Sequence, residues 1–306
     1  ILTIGGVEMY TGTGTEADPY MVDTIADLYE CAAIPGAYVC IADDISASSD
    51  DEYAAGTDQP LVIRCARLYG ADDGRKVSGL AVGEGAKNLI KHDGEGTSEM
   101  ERVSFVDCVF TRPLTETSQT TDLLFENMTI KDCDFSYAVR QASVLGANVL
   151  VGGDIETSSF YVMGTAVQDV STGMTDSFIF HPDSAERCNF EAHGLHAFSG
   201  TVPLIANARK CLFLLEDTKL YHSSYNGPYI AADCYTCAFA ISQQKMDSVP
   251  TKLDAGCSGM TGVNIIDAEF WTSIETDGFT LDDSIIKLST AQMKSAAYLT
   301  EIGFLP

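Results

Sequence analysis

Two groups of side chains in this sequence have the types and spacing that chemistry needs. The first is His193-Gly194-Leu195-His196. Two histidines three apart can meet on a turn, and His181 or Glu191 offers a third donor, but a catalytic zinc site also needs an open position. The second is a set of carboxylates, Asp107, Asp132 and Asp134. If Asp107 and Asp132 occupy the same corner on adjacent turns of a repeating chain, they stand about 5 Å apart, a separation that the two carboxylates of a glycosidase can use. Asp134 then faces outward on the neighbouring strand. Arg102, Arg112 and Lys131 are the nearest basic residues, and they form no recognisable set. Each group also has a plainer reading, as an exposed loop with two histidines and as solvated corner aspartates. That reading is the expectation here: no catalytic residue, no bound metal and no cofactor. Asp43, Asp44, Asp72 and Asp73 supply the oxygen donors for weak Ca²⁺ binding, without an EF-hand or a nonapeptide Ca²⁺ repeat around them.

What would position these groups is a repeat. A small residue, any residue, then Phe recurs as Cys108-Val109-Phe110, Cys133-Asp134-Phe135, Ser158-Ser159-Phe160, Cys188-Asn189-Phe190, Cys211-Leu212-Phe213, Cys237-Ala238-Phe239 and, more weakly, Ala268-Glu269-Phe270. The Phe-to-Phe steps are 25, 25, 30, 23, 26 and 31 residues. Three positions before each small residue stands another apolar or small one: Phe105, Ile130, Ile155, Ala185, Ala208, Cys234 and Ile265. Residues two apart point the same way on a strand, and residues three apart do so only if the chain turns a corner between them. A unit of this kind cannot bury its inward residues alone, whereas stacked copies can. The expected fold is all-β, a right-handed parallel β-helix with one coil per repeat and the Phe rings in an internal stack.

Bulk composition narrows the partners. The chain has 306 residues, 18 basic and 44 acidic, for a net charge of −26. That argues against nucleic acid, which needs a basic surface, and against anionic membrane surfaces. No run of 18 or more apolar residues is present, so no membrane insertion is expected. Of the ten cysteines, five fall in the small column of the repeat and Cys234 in the other inward column. They read as small buried hydrophobes with free thiols, which favours assembly in a reducing compartment. Cys234-Tyr235-Thr236-Cys237 has the spacing of a zinc or redox pair, but both cysteines fall inward, so it reads as core.

The organisation is a single domain: a turn and cap at 1–36, coils at 37–285 and a closing helix at 286–306. Thr24 with Asp27, and Ser289 with Gln292, mark helix starts, and Pro35-Gly36 stops the first helix. Tyr38–Ile41 and Leu61–Cys65 are strand-like, with Cys40 and Cys65 also 25 apart. Residues 111–122 and 243–256 read as polar inserts that loop out.

Gly12-Thr13-Gly14-Thr15, Asp18-Pro19-Tyr20-Met21-Val22 and Ile25-Ala26-Asp27-Leu28 resemble the opening motif of a broad group of bacterial-surface and phage-encoded right-handed β-helix proteins. Leu288-Ser289-Thr290-Ala291-Gln292-Met293-Lys294, Tyr298-Leu299 and Ile302-Gly303-Phe304 are similar to the helix that closes the same group. The resemblance implies an adhesive, decorative or receptor-binding role rather than catalysis. The expectation is a phage virion component (decoration protein, fibre or receptor-binding spike) at the virion surface. Its partners would be other virion or surface proteins and cell-surface glycan, in a homo-oligomer, by analogy a trimer. The alternatives are a bacterial cell-surface adhesin and a β-helix polysaccharide hydrolase or lyase. The Asn-Thr-Asp, Asp-Asp and Gly-His-Gly combination of the pectin hydrolases is missing as a set; only Asp72-Asp73 is similar.

Overall fold

The computed structural model describes residues 3–4, 7–8, 10–47, 59–83, 85–112, 120–140, 147–165, 179–199, 205–222, 231–243, 261–271 and 284–305. It is a parallel β-helix. Three faces recur in each coil. Face A stacks Leu61–Ile63, Ile90–His92, Thr120–Leu124, Ala147–Val151, Phe180–His181 and the start of Ile205–Arg209. Face B runs from Tyr20–Val22 and Tyr38–Ile41 through Arg67–Gly70, Ser98–Glu101, Met128–Lys131, Asp154–Glu156 and Ser184–Glu186 to Ala231–Tyr235. Face C runs from Ile45–Ser46 through Val103–Thr111, Asp134–Arg140, Ser159–Thr165, Asn189–His193 and Leu212–His222 to Ile285–Leu288. One core cluster extends continuously from Tyr10 to Ile285.

The start of the chain shows why its glycines are needed. Thr13 and Thr15 both donate their N–H to the Asp18 carbonyl, and Met21 donates to Thr11. A Cβ on Gly12 (φ 98°) would lie 1.9 Å from the Pro19 oxygen, and one on Gly14 (φ 73°) would lie 2.3 Å from the Tyr20 ring. Tyr20–Val22 already pairs with Tyr38–Ile41, so the coils begin before residue 37. Between those two strands lies the helix Ile25–Ala32, N-capped by Thr24. Its Leu28, Cys31 and Ala32 are fully buried in the main core. The Ala32 carbonyl accepts from the N–H groups of Arg64 and Cys65, so the helix closes the end of face A.

Register corrects the textual repeat at both ends. Phe105, not Phe110, pairs with Phe135, and Phe110 pairs with Val139 further along the strand. At the other end Ile266 takes the Phe position and Ala268–Trp271 is a short helix. The five central matches hold. Six rings, Phe105, Phe135, Phe160, Phe190, Phe213 and Phe239, stack at centroid separations of 5.5, 4.9, 5.1, 5.0 and 5.4 Å. Tyr38–Ile41 and Leu61–Ile63 are not equivalent despite their spacing, since they lie on faces B and A.

The corner between faces B and C explains the small column. Its turning residues, Arg102, Asp132, Thr157, Arg187, Lys210 and Thr236, all have φ between 47° and 57°. After the last five the next residue points inward and donates back to the carbonyl two positions before: Cys133 to Lys131 at 3.2 Å, Ser158 to Glu156 at 2.9 Å, Cys188 to Glu186 at 3.3 Å, Cys211 to Arg209 at 3.2 Å and Cys237 to Tyr235 at 3.6 Å. A short side chain with a donor fits there, which Cys and Ser both provide. The nine described cysteines are all free and buried; Cys257 lies outside the described residues. Left-handed backbone costs an L residue about 1–2 kcal/mol, and glycine loses about 0.5–1 kcal/mol in unfolded-chain entropy. Lys210→Gly is therefore expected to raise stability by about 0.5–1 kcal/mol, read as a higher midpoint in urea denaturation. A lower midpoint would show that the lysine stem stabilises the corner.

The expected insert at 111–122 is narrower than its polarity implied: Thr111 and Thr120–Leu124 are strand residues. Residues 113–119 and 244–256 lie outside the described residues. Inside the coil, Arg112 and Asp122 form a bidentate pair, Nε–Oδ1 2.8 Å and Nη2–Oδ2 2.7 Å. The Tyr137 hydroxyl donates to Asp122 Oδ2 at 3.2 Å. Arg112 is 2 % exposed and Asp122 is fully buried.

The closing segment also differs from expectation. It is two short helices, Thr290–Met293 and Ala296–Glu301, and the Ser289/Gln292 capping box is present. Leu299, Met293, Tyr298 and Phe304 form a separate cluster over Ala238 and Ile265. Ala238 lies between inward Cys237 and Phe239, so it faces out. The helices therefore cover the outer flank of the last rungs.

Candidate functional site

The outer surface of face C carries the groups with recognition chemistry. On each rung the residues one and three after the stacked Phe point outward. These are Tyr161 and Met163 after Phe160, Glu191 and His193 after Phe190, and Leu214 and Glu216 after Phe213, in direct register. The parallel strands hold them about 4.8 Å apart on a surface fixed by the core beneath. The Tyr161 ring lies 5.1 Å from the His193 ring, centroid to centroid. His193 Nδ1 is 3.1 Å from Glu216 Oε2, and Nε2 is 3.6 Å from Glu191 Oε2. Met163 is 44 % exposed, and Leu212, one position before Phe213, is 38 % exposed. An aromatic ring and a thioether thus flank an imidazole held between two carboxylates, and Leu212 lies opposite Asn189 at the start of the same strand pair.

The carboxylates proposed from sequence do not come together. Arg102, not Asp107, is the corner residue beside Asp132, because Glu101 pairs with Lys131 and Ser104 with Asp134. Asp107 sits in a β-bulge between Phe105 and Cys108, with φ 54°. A bulge places two residues opposite one and re-aims the extra side chain. Asp132 accepts a hydrogen bond from the Thr157 hydroxyl. Asp134 accepts from the Ser104 hydroxyl at 3.0 Å. Asp132 and Asp134 are thus each bound to a hydroxyl on a neighbouring rung and link rungs along the coil.

The two histidines stand on either side of a turn. His193 ends Asn189–His193, Gly194 turns with φ 62°, and His196 opens the strand His196–Ser199. The His196 side chain lies outside the described set. His181 is on face A, where burial lowers its pKa. Among the described residues no group of three His, Cys, Asp or Glu side chains could hold a metal ion. Of the acidic turns, Asp44 accepts the Lys76 N–H at 2.9 Å and Asp72 pairs with Arg75 at 2.9 Å.

Sequence reasoning missed Tyr161, Met163, Leu212 and Glu216. The signal was available: once Phe is inward, the positions one before, one after and three after it are outward by strand alternation. Comparison with protein-family models, curated proteins and solved structures found no match. The class is therefore set by the fold, a parallel β-helix, and the role is argued from its surface. No helix among the described residues is long and apolar enough to cross a membrane.

Proposed function

We propose that the protein is a non-catalytic structural and recognition element that docks a partner on the outer surface of face C, and that it serves as a phage virion component. The observation that carries the recognition role is half-buried Tyr161 and exposed Met163 beside His193, Glu191 and Glu216, with exposed Leu212 further along the same face. Aromatic and Met side chains are enriched where proteins bind, and rigid strands limit the entropy lost on docking. The narrower virion assignment draws support from the nine free, buried cysteines, which suit folding in a reducing cytoplasm before particle release. The acidic surface suits a crowded assembly that must not stick non-specifically.

Three measurements test this. Antibodies against the purified protein should label intact particles from the producing culture; labelling of the bacterial envelope alone would favour the adhesin reading. Tyr161→Ala with Met163→Ser should weaken binding to the labelled surface about tenfold or more, some 1.4 kcal/mol, with an unchanged melting midpoint. Full binding by that double variant would move the recognition site elsewhere. Cleavage of an oligosaccharide panel, lost in Asp132→Asn, would replace the proposal with the hydrolase reading.

A further inference from the structure

The turn that leads into Tyr20–Val22 holds one peptide bond in unusual surroundings. Asp18-Pro19 is the only Asp-Pro pair in the chain. Three donors converge on its carbonyl oxygen. The Thr13 N–H donates at 3.0 Å, the Thr15 N–H at 3.2 Å and the Thr13 hydroxyl at 3.3 Å. The Thr15 hydroxyl lies 3.2 Å from the Thr13 hydroxyl, and by donating to it turns the Thr13 proton onto the same oxygen. A peptide carbonyl oxygen has two lone pairs. The oxyanion formed when a nucleophile adds to that carbon has three, so three donors match the oxyanion better than the carbonyl. Donors aimed at a developing negative charge are the main stabilising device of acyl-transfer sites. Hydrogen bonds to a charged acceptor are also about twice as strong as neutral ones, so these bonds strengthen as charge builds.

The other parts of an acyl-transfer reaction are in the same two residues. Asp18 is exposed, and its carboxylate has no hydrogen-bond partner among the described residues. It can turn onto the carbonyl carbon of its own residue, where attack closes a cyclic anhydride. A nucleophile and carbonyl joined in one residue react at high effective concentration. Pro19 supplies the leaving group: its nitrogen carries no N–H and departs as a secondary amine. Gly12 and Gly14 flank Thr13 with positive φ and let the loop close over this bond, since a Cβ on Gly12 would overlap the Pro19 oxygen.

We propose that the protein cleaves itself between Asp18 and Pro19. An Asp18 carboxylate oxygen bonds to the Asp18 carbonyl carbon, and the oxyanion rests on the Thr13 and Thr15 donors. The bond from that carbon to the Pro19 nitrogen breaks, and the nitrogen takes a proton from solvent. Water then opens the anhydride to the side-chain and terminal carboxylates and returns protons to solvent. The net reaction is hydrolysis of one peptide bond by one water. The nicked chain stays together. Tyr10 is 5 % exposed in the main core, and its ring meets the Tyr20 ring edge-on at 4.8 Å. The Thr11 carbonyl accepts from the Met21 N–H and the Gly14 carbonyl from the Tyr38 N–H, both at 2.9 Å. Residues 10–18 therefore remain docked on the first coil after the cut.

The test incubates the purified full chain at about pH 5 with protease inhibitors, where solvent protons assist departure of the amine. Mass spectrometry after denaturation should show fragments 1–18 and 19–306 growing together, while size exclusion without denaturant still shows one species. The same chain held in concentrated urea loses the three donors and should cleave at least about tenfold more slowly. That comparison needs no variant. Asp18→Glu keeps the charge, the backbone and the donors but moves the carboxylate one carbon out of reach, and should leave the bond intact. Thr13→Val keeps both N–H donors and removes the hydroxyl, and should slow the folded chain roughly tenfold. An unchanged melting midpoint shows that each variant is folded. Cleavage no faster in the folded chain than in urea, undiminished in Asp18→Glu, or undiminished in Thr13→Val would overturn the proposal.

Discussion

Arg112→Met is expected to lower the stability of the coil by about 3–5 kcal/mol, because it leaves the Asp122 carboxylate buried and unpaired. The guanidinium and carboxylate meet through two hydrogen bonds inside the coil, and Tyr137 adds a third to the same carboxylate. Burial pushes the Asp122 pKa up, and the Arg112 charge and its hydrogen bonds oppose that rise. Removing Arg112 removes the opposition, so the folded-state value climbs further. The folded variant then holds its proton more tightly than the unfolded chain does. Stability falls as pH rises from the ordinary carboxylate range through the raised folded value, and levels off above it. The variant should thus be less destabilised at about pH 5 than at about pH 8, with the difference from wild type shrinking as Asp122 protonates. Urea denaturation at the two pH values reads this directly. Arg112→Met with Asp122→Leu and Tyr137→Phe removes the charges and the stranded hydroxyl together, and is expected to recover most of the loss. An equal loss at both pH values would show that Asp122 stays ionised without its partner.

That ion pair marks where the sequence stops being readable. Arg112 and Asp122 border a polar stretch, and each alone looks like surface. They are core because the chain leaves face C and re-enters on face A at the same corner, which brings residues ten apart together. Nothing local reports this closure. The central repeat was legible for the opposite reason. Phe135 through Phe239 each follow a residue whose side chain closes the left-handed corner behind it, so one rule of backbone geometry is written five times. At Phe105 the left-handed turn is kept at Arg102, but the small column holds Val103, which has no donor to close the corner. The Cys108-Val109-Phe110 triplet imitates it from within the same strand, after a bulge that alternation cannot see.

The misreading of Asp107 follows from that imitation. A spacing of one repeat put it over Asp132, and the bulge puts it on a different part of the strand. The longer corner after His92, residues 93–97 where the flanking rungs have 64–65 and 126–127, was hidden for a related reason. Its inward histidine is an ordinary strand residue by pattern, and only register against both neighbouring rungs exposes the three extra residues behind it. Both cases turn on length differences at corners, which a list of apolar columns does not record.

The ring stack gives the sharpest test of this register. Phe135 is in contact with Phe105 at 5.5 Å, Phe160 at 4.9 Å and Phe125 at 5.4 Å. Phe135→Ala should cost about 3–5 kcal/mol, since rungs above and below prevent the cavity from collapsing. That loss alone does not identify the neighbours, because Phe110 is equally buried and its truncation should cost about as much. Coupling does. Phe105 and Phe135 stack with an interplanar angle of 14°. Their double-mutant cycle should show about 0.5–1.5 kcal/mol of interaction energy. Phe110 pairs with Val139, four residues along the strand from Phe135. At about 3.3 Å per residue that is roughly 13 Å, so Phe110→Ala and Phe135→Ala should add to within about 0.3–0.5 kcal/mol. Strong Phe110–Phe135 coupling with additive Phe105 and Phe135 would restore the textual alignment. It would also return Asp107 to the corner beside Asp132. The observed register predicts the reverse, and because a solenoid's stability is a sum of neighbouring-rung terms, the coupling should appear between adjacent rungs of the stack.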